Sequence, residues 1–195
     1  MTSGENLERF HNILLELASQ VKKNAETIDK NLVLNTIELI LQVLDKNNRI
    51  FVYGAGRSGF IGRCFAQRLM HLGVKSCFVS DAVTYRYTSK DLLILVSGSG
   101  ETTSTVALGK KAREIGGKII SFSNNPKSTV SKLSDYVIEI KGKSKDVALT
   151  QETLAPYTSL FDISALAVLD SIGGILMKKL RITEEDINKR HASIE

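Results

Sequence analysis

Between residues 49 and 140 the chain alternates between two kinds of segment. Short apolar runs stand at 50–53, 76–79, 92–96, 118–122 and 136–140. Helical stretches separate most of them, at 58–72, at 104–115 and briefly after Pro126. A run that is apolar at nearly every position is what a strand covered on both faces requires, and crossover helices join parallel strands. The alternation therefore predicts a doubly wound α/β fold with a five-stranded parallel sheet. In such sheets ligands sit outside the carboxyl ends of the strands, near the point where the strand order reverses. Two glycine-rich loops fall at strand ends, one after Tyr53 and one after Val96.

The second loop, Ser97-Gly98-Ser99-Gly100-Glu101-Thr102-Thr103-Ser104, has hydroxyls at five of its eight positions. Glycines let the backbone approach an anion closely. Serine and threonine hydroxyls donate to its oxygens. The start of the following helix adds unpaired N–H groups and a partial positive charge. A polar connection with ordinary capping is the plain alternative, but the hydroxyls exceed what capping needs. The loop holds no Lys or Arg, which fits one phosphate monoester better than a polyphosphate with its metal.

The first loop, Gly54-Ala-Gly56-Arg57-Ser58-Gly59, matches the dinucleotide fingerprint, and Asp81 stands about where a ribose-binding acid is expected. Against a nicotinamide cofactor, little chain remains for a catalytic domain. Arg57 and Ser58, with a second hydroxyl-rich loop, suit a small phosphorylated ligand held between two loops. A merely tight turn is the third reading, and spacing alone leaves all three open.

The remaining segments set limits. The net charge of +5 is mild and its residues are interspersed, so nucleic acid is not implied. No apolar stretch is expected to reach membrane-spanning length, and the N-terminus lacks a signal-peptide pattern. Cys64 and Cys77 have no metal-ligand spacing, and a reduced cytosolic setting follows. Two amphipathic helices, carrying Leu7, Phe10, Leu14, Leu17 and Val21 and then residues 31–44, precede the sheet and must pack on something, a second subunit being one candidate. Residues 141–153 are polar and irregular. Pro156 is placed for the first turn of a helix reaching about Leu180, with Gly173 and Gly174 as a close-packing or bending point. Thr183-Glu-Glu-Asp186 reads as a capping box for a last helix ending near His191.

Three residues could carry acid–base chemistry: Glu152 in the irregular stretch, His71 near a helix end and His191 near the chain end. Each has an ordinary reading as a solvated or capping group, and spacing assigns none of them.

The two-loop pattern resembles the sugar isomerase (SIS) domain family. Within it, Arg57-Ser58-Gly59, Arg68-Leu-Met-His-Leu-Gly73, residues 97–104 and Arg190-His-Ala-Ser-Ile-Glu195 resemble the 6-phospho-3-hexuloisomerase group over essentially the whole chain. The resemblance implies one domain over residues 1–195. It also implies interconversion of D-arabino-hex-3-ulose 6-phosphate and D-fructose 6-phosphate in the ribulose monophosphate pathway. No metal or organic cofactor is implied. A homotetramer is, as is a cytoplasmic setting beside 3-hexulose-6-phosphate synthase. Carried over residue by residue, Ser97, Ser99, Thr102 and Ser104 are expected to hold the phosphate, and Gly56, Ser58 and Glu101 to complete the substrate contacts. Arg57, His71, Glu152 and His191 are expected in catalysis. One stretch departs from the pattern: Pro156-Tyr-Thr-Ser-Leu-Phe-Asp162 stands where Pro-Met-Gly-x-Leu-Phe-Glu is expected. Glu152 and Asp162 both remain as the proton-transferring carboxylate, with Glu152 preferred.

Overall fold

Five parallel strands form one sheet in the order β2-β1-β3-β4-β5 in the computed structural model, which describes residues 2–142 and 153–193. The strands are β1 (Ile50–Gly54), β2 (Ser76–Phe78), β3 (Leu92–Val96), β4 (Lys118–Ser123) and β5 (Tyr136–Glu139). Two helices, α1 (Ser3–Thr27) and α2 (Lys30–Asp45), precede them. Then α3 (Arg57–His71) follows β1, α4 (Thr103–Ile115) follows β3 and α5 (Thr129–Leu133) follows β4. Last come α6 (Ser159–Lys179) and α7 (Glu184–Arg190). The predicted doubly wound α/β sheet is present, and its order reverses between β1 and β3.

Alternation along each strand divides the core. Leu92, Ile94 and Val96 of β3, with Val52 and Phe122, pack toward α2, α3 and α6. Leu93 and Leu95, with Phe51 and Ile119, pack toward α4 and α5. All five β3 side chains are buried, which explains the unbroken apolar run.

The N-terminal helices pack on their own chain. Asn24 of α1 is buried, and its amide donates to the Lys141 carbonyl while the Lys141 N–H donates back, both at 2.8 Å. The Glu16 carboxylate accepts from the Ala155 N–H at 2.7 Å. The first half of α1 leaves an apolar stripe open: Leu7 is 70% exposed and Phe10 66%.

Two expectations about α6 need correction. By length and composition this helix is apolar enough to cross a membrane, so a stretch of that kind does exist. Its position accounts for this. It lies between α1 and α3, contacts α2, and half of its apolar window is buried. A helix covered on several sides needs no polar face. Pro156 is not in its first turn. Ser159 opens the helix and donates its N–H to the Pro156 carbonyl at 3.0 Å, so Pro156 belongs to the preceding turn. Of the glycine pair, Gly173 packs closely, since a Cβ there would lie 2.9 Å from Arg68 Cγ, whereas Gly174 faces open space. The capping box on α7 forms, with Asp186 Oδ2 accepting from the Thr183 N–H at 2.9 Å.

Asp135 fastens the lower edge of the sheet. Its carboxylate accepts from the Ile119 N–H at 2.8 Å and pairs with Arg113 at 2.8 Å and Lys118 at 3.0 Å. Burial alone would raise its pKa, but the Ile119, Lys118 and Arg113 donors outweigh burial and hold it below the ordinary value of 3.8. A carboxylate depressed in the folded state contributes stability that is complete above its unfolded pKa and is lost as pH falls through the folded one. Asp135→Asn is therefore expected to destabilise the protein by about 1–3 kcal/mol at pH 7. In urea denaturation the gap to wild type should close below about pH 4. A gap that stays constant down to pH 2 would contradict this.

Candidate active site

The first loop brings a strand end against a helix start. A Cβ on Gly54 would sit 2.5 Å from the Ser58 carbonyl oxygen and 2.9 Å from that of Val96, so no larger residue fits. Gly56, the residue before α3, has φ +56°, which turns the chain. The fingerprint spacing is thus accounted for by backbone packing, and its product is to place Arg57 and Ser58 at the sheet edge. Asp81 pairs with Arg63 at 3.0 Å and lies outside the cleft wall, which removes the sequence support for a ribose-binding acid.

The second loop folds on its own hydroxyls. Ser97 is buried, and its Oγ accepts from the Gly100 N–H at 3.1 Å. Ser99 Oγ accepts from the Glu101 N–H at 3.2 Å. Thr102 precedes α4 but makes no side-chain cap bond, so its hydroxyl and the first α4 amides are left for a ligand. Two expected contacts turn elsewhere. The Glu101 carboxylate accepts from the Thr129 N–H at 2.7 Å, which holds its pKa below the usual value and ties the loop to α5. Ser104 is exposed on the first turn of α4, outside the cleft wall.

A third wall comes from the start of α6, and sequence reading missed most of it. Thr158 holds φ +65°, and its Oγ1 donates to Asp162 Oδ2 at 2.7 Å. Arg57 Nε donates to the same oxygen at 2.8 Å, and Ser58 Oγ donates to Oδ1 at 3.4 Å. Asp162 is 1% exposed, while the Arg57 side chain is 62% exposed. The available signal was an acid opening a very apolar helix, since buried carboxylates are found paired. Tyr157 and Phe161 also line this wall.

These three walls enclose a cleft of about 270 Å³ outside the carboxyl ends of β1 and β3, at the reversal of strand order. Gly56, Arg57, Ser58, Ser97, Ser99 and Thr102 meet there as expected. The histidines do not. His71 ends α3, fourteen residues after Arg57, which at 1.5 Å per residue is about 21 Å away. His191 stacks on it with ring centroids 4.1 Å apart, and Arg190 Nη1 donates to the His71 carbonyl at 2.9 Å. Burial, then the neighbouring His191 and Arg68, lower the His71 pKa from its usual value and favour the neutral ring. Glu152 lies outside the described residues.

A parallel sheet of order 2-1-3-4-5, with a glycine-rich loop at the end of β1 and a hydroxyl-rich loop at the end of β3, defines a doubly wound α/β protein with its cleft at the switch point. Residues 43–167 match the SIS domain family, and the chain belongs to it. A relative from Methanocaldococcus jannaschii named 3-hexulose-6-phosphate isomerase is 39% identical, over 82% of this chain and 84% of its own. One of the same name from Bacillus subtilis is 35% identical over 76% and 81%. A solved structure from Methanococcus jannaschii, described as inferring a 3-hexulose-6-phosphate isomerase function, superposes with a TM-score of 0.78 at 37% identity. It covers 98% of this chain and 99% of the other.

Proposed function

We propose that this protein is a 3-hexulose-6-phosphate isomerase: it converts D-arabino-hex-3-ulose 6-phosphate to D-fructose 6-phosphate. The observation that carries the reading is the identity of 39% to a relative of that name across 84% of that relative's length. The cleft supplies suitable means. Ser97, Ser99, Thr102 and the α4 start offer donors for the phosphate. Arg57 offers a cation to the sugar end.

The carbonyl moves from C3 to C2. A base removes the C2 proton to form an enediol and returns it at C3. Glu152 is assigned this step. The two oxygens exchange a proton as this happens, which suits a neutral imidazole, and His191 is assigned it. Arg57 stabilises charge developing on the enediolate oxygen.

His191 and His71 lie too far from their own cleft for this, so they serve the cleft of a neighbouring subunit in a homotetramer. The exposed Leu7 and Phe10 stripe on α1 supports an assembly of this kind. A cytoplasmic enzyme acting beside 3-hexulose-6-phosphate synthase completes the reading, with the chain as one SIS domain.

Incubating the purified protein with the 3-hexulose phosphate and measuring fructose 6-phosphate tests the activity directly, and absence of product would reject it. The histidine assignment has a directional consequence. A 3-ketose phosphorylated at O6 cannot close a five-membered ring through that oxygen, whereas fructose 6-phosphate closes through O5. His191→Ala should therefore impair use of fructose 6-phosphate more than use of the 3-ketose in initial-rate assays. Activity should also return when Glu152→Gln and His191→Ala subunits are refolded together. Mixed oligomers without activity would reject sharing between subunits.

A further inference from the structure

We propose that Asp162 sorts the cleft hydroxyls into two polarities, so that the Ser58 and Thr158 wall reads sugar hydroxyl groups while Ser97 and Ser99 read the phosphate. The inference deepens the isomerase reading and rests on it for the sugar's identity. A hydroxyl has one proton to donate and two lone pairs to accept with, and an ionised carboxylate can only accept. Ser58 and Thr158 both spend their proton on Asp162, at 3.4 and 2.7 Å. Both line the cleft. Toward a ligand they present lone pairs only. A phosphate dianion, itself all acceptor, finds nothing to pair with there, but a sugar O–H does.

The second loop has the opposite arrangement. Ser97 Oγ and Ser99 Oγ each accept from a backbone N–H, of Gly100 and Glu101. Among the described residues neither hydroxyl has an acceptor, so both protons can be donated, which is what phosphate oxygens need. Arg57 lines the same cleft. Its Nε is held by Asp162, and its terminal nitrogens have no other hydrogen-bond partner among the described residues. A donor therefore stands beside two acceptors, which complements the acceptor carbonyl and donor hydroxyl of a hydroxyketone. The polarity fixes the direction in which the substrate lies: phosphate at the β3 loop, hydroxyl-bearing carbons at the α6 start. Asp162 acts here as a positioning residue, through Ser58, Thr158 and Arg57.

The test compares inorganic phosphate with fructose 6-phosphate by calorimetric titration, alongside KM and kcat for the 3-ketose. The proteins are wild type, Ser58→Ala, Thr158→Val, Thr158→Ser and Ser99→Ala. Thr158→Val keeps the side-chain shape, and Thr158→Ser keeps the hydroxyl. Ser99→Ala is expected to weaken inorganic phosphate by about five- to tenfold, and Ser58→Ala and Thr158→Val to leave it unchanged. Thr158→Val should weaken fructose 6-phosphate by a similar factor and raise KM more than it lowers kcat, with Thr158→Ser restoring both. Equal loss of inorganic phosphate in Ser58→Ala and Ser99→Ala would overturn the proposal. So would fructose 6-phosphate affinity that is untouched by Thr158→Val. Wild-type protein that shows this titration pattern without turnover would reject the isomerase reading and uphold the polarity.

Discussion

Glu152→Gln is expected to lower kcat for the 3-ketose by about 10²–10⁴-fold, the range for losing a positioned general base. KM should change little, because the amide keeps the side-chain size and removes only the proton acceptor. Asp162→Asn is the informative partner experiment, since both carboxylates remained open on sequence grounds. Of the two, the structure describes Asp162. Three donors converge on the two Asp162 oxygens, from Arg57, Thr158 and Ser58. A carboxylate 1% exposed, with both lone-pair directions of Oδ2 engaged and Oδ1 facing Ser58, is occupied in holding its neighbours, which favours a positioning role over proton transfer. An asparagine there turns an N–H₂ toward at least one of those donors and leaves a buried group unpaired. Asp162→Asn should thus lower stability by about 1–3 kcal/mol and disturb substrate binding. Glu152→Gln should leave the melting temperature close to that of wild type. Wild-type-like kcat in Glu152→Gln would remove Glu152 as the base.

The sheet was legible because burial on both faces writes itself into sequence locally. The run at Leu92–Val96 needs no partner to be read, since all of its side chains enter core on one face or the other. Helix α6 was legible as a helix, but the expectation that no apolar stretch reaches membrane-spanning length failed there, because apolarity all round reports several covering neighbours. Nothing within residues 159–179 says that α1 and α3 will supply that cover. Pro156 shows the complementary limit. A proline at a helix start is a sound local rule, but Thr158 adopts a left-handed conformation and delays the helix to Ser159.

The cleft divides in the same way. Gly56, Ser97 and Ser99 were readable because each acts through neighbours a few residues distant, as Gly54 does in part, through Ser58. The Asp162 cluster was not, since its partners Arg57 and Ser58 are 105 and 104 residues away. Glu101 was expected in the cleft from its place in the loop, yet it answers to Thr129, twenty-eight residues on. His71 and His191 were each readable as a capping or frayed-end group. Their stacking at 4.1 Å follows from α7 packing on α3. Local chemistry therefore specified the hydroxyl-rich loop, and the chain's return specified what faces it.

Gly100→Ala should cost clearly more stability than Gly56→Ala, its control in the other loop lining the cleft. Both glycines have positive φ, +67° and +56°. Holding an alanine there costs about 1–3 kcal/mol in each case. The surroundings differ. A Cβ on Gly56 meets nothing within 4 Å, whereas one on Gly100 would stand 2.0 Å from Ser128 Oγ and 2.5 Å from Ser128 Cβ. Ser128 cannot retreat easily: it is buried, it caps α5 by accepting from the Ser131 N–H, and it donates to Ser131 Oγ at 2.8 Å. Forcing a methyl into such packing adds about 1–3 kcal/mol. The Gly100 N–H also holds Ser97 Oγ, and the Gly100 carbonyl accepts from the Val130 N–H at 3.0 Å. A shift of this residue therefore moves the Ser97 hydroxyl, one of the proposed phosphate donors, as well. Gly100→Ala is expected to lose inorganic phosphate binding together with stability, and Gly56→Ala to lose stability alone by the smaller amount. Adding Ser128→Gly to Gly100→Ala should recover part of both, because it removes the atoms that clash. If the two alanine variants prove equally destabilised in urea, steric exclusion by Ser128 is not what makes position 100 a glycine.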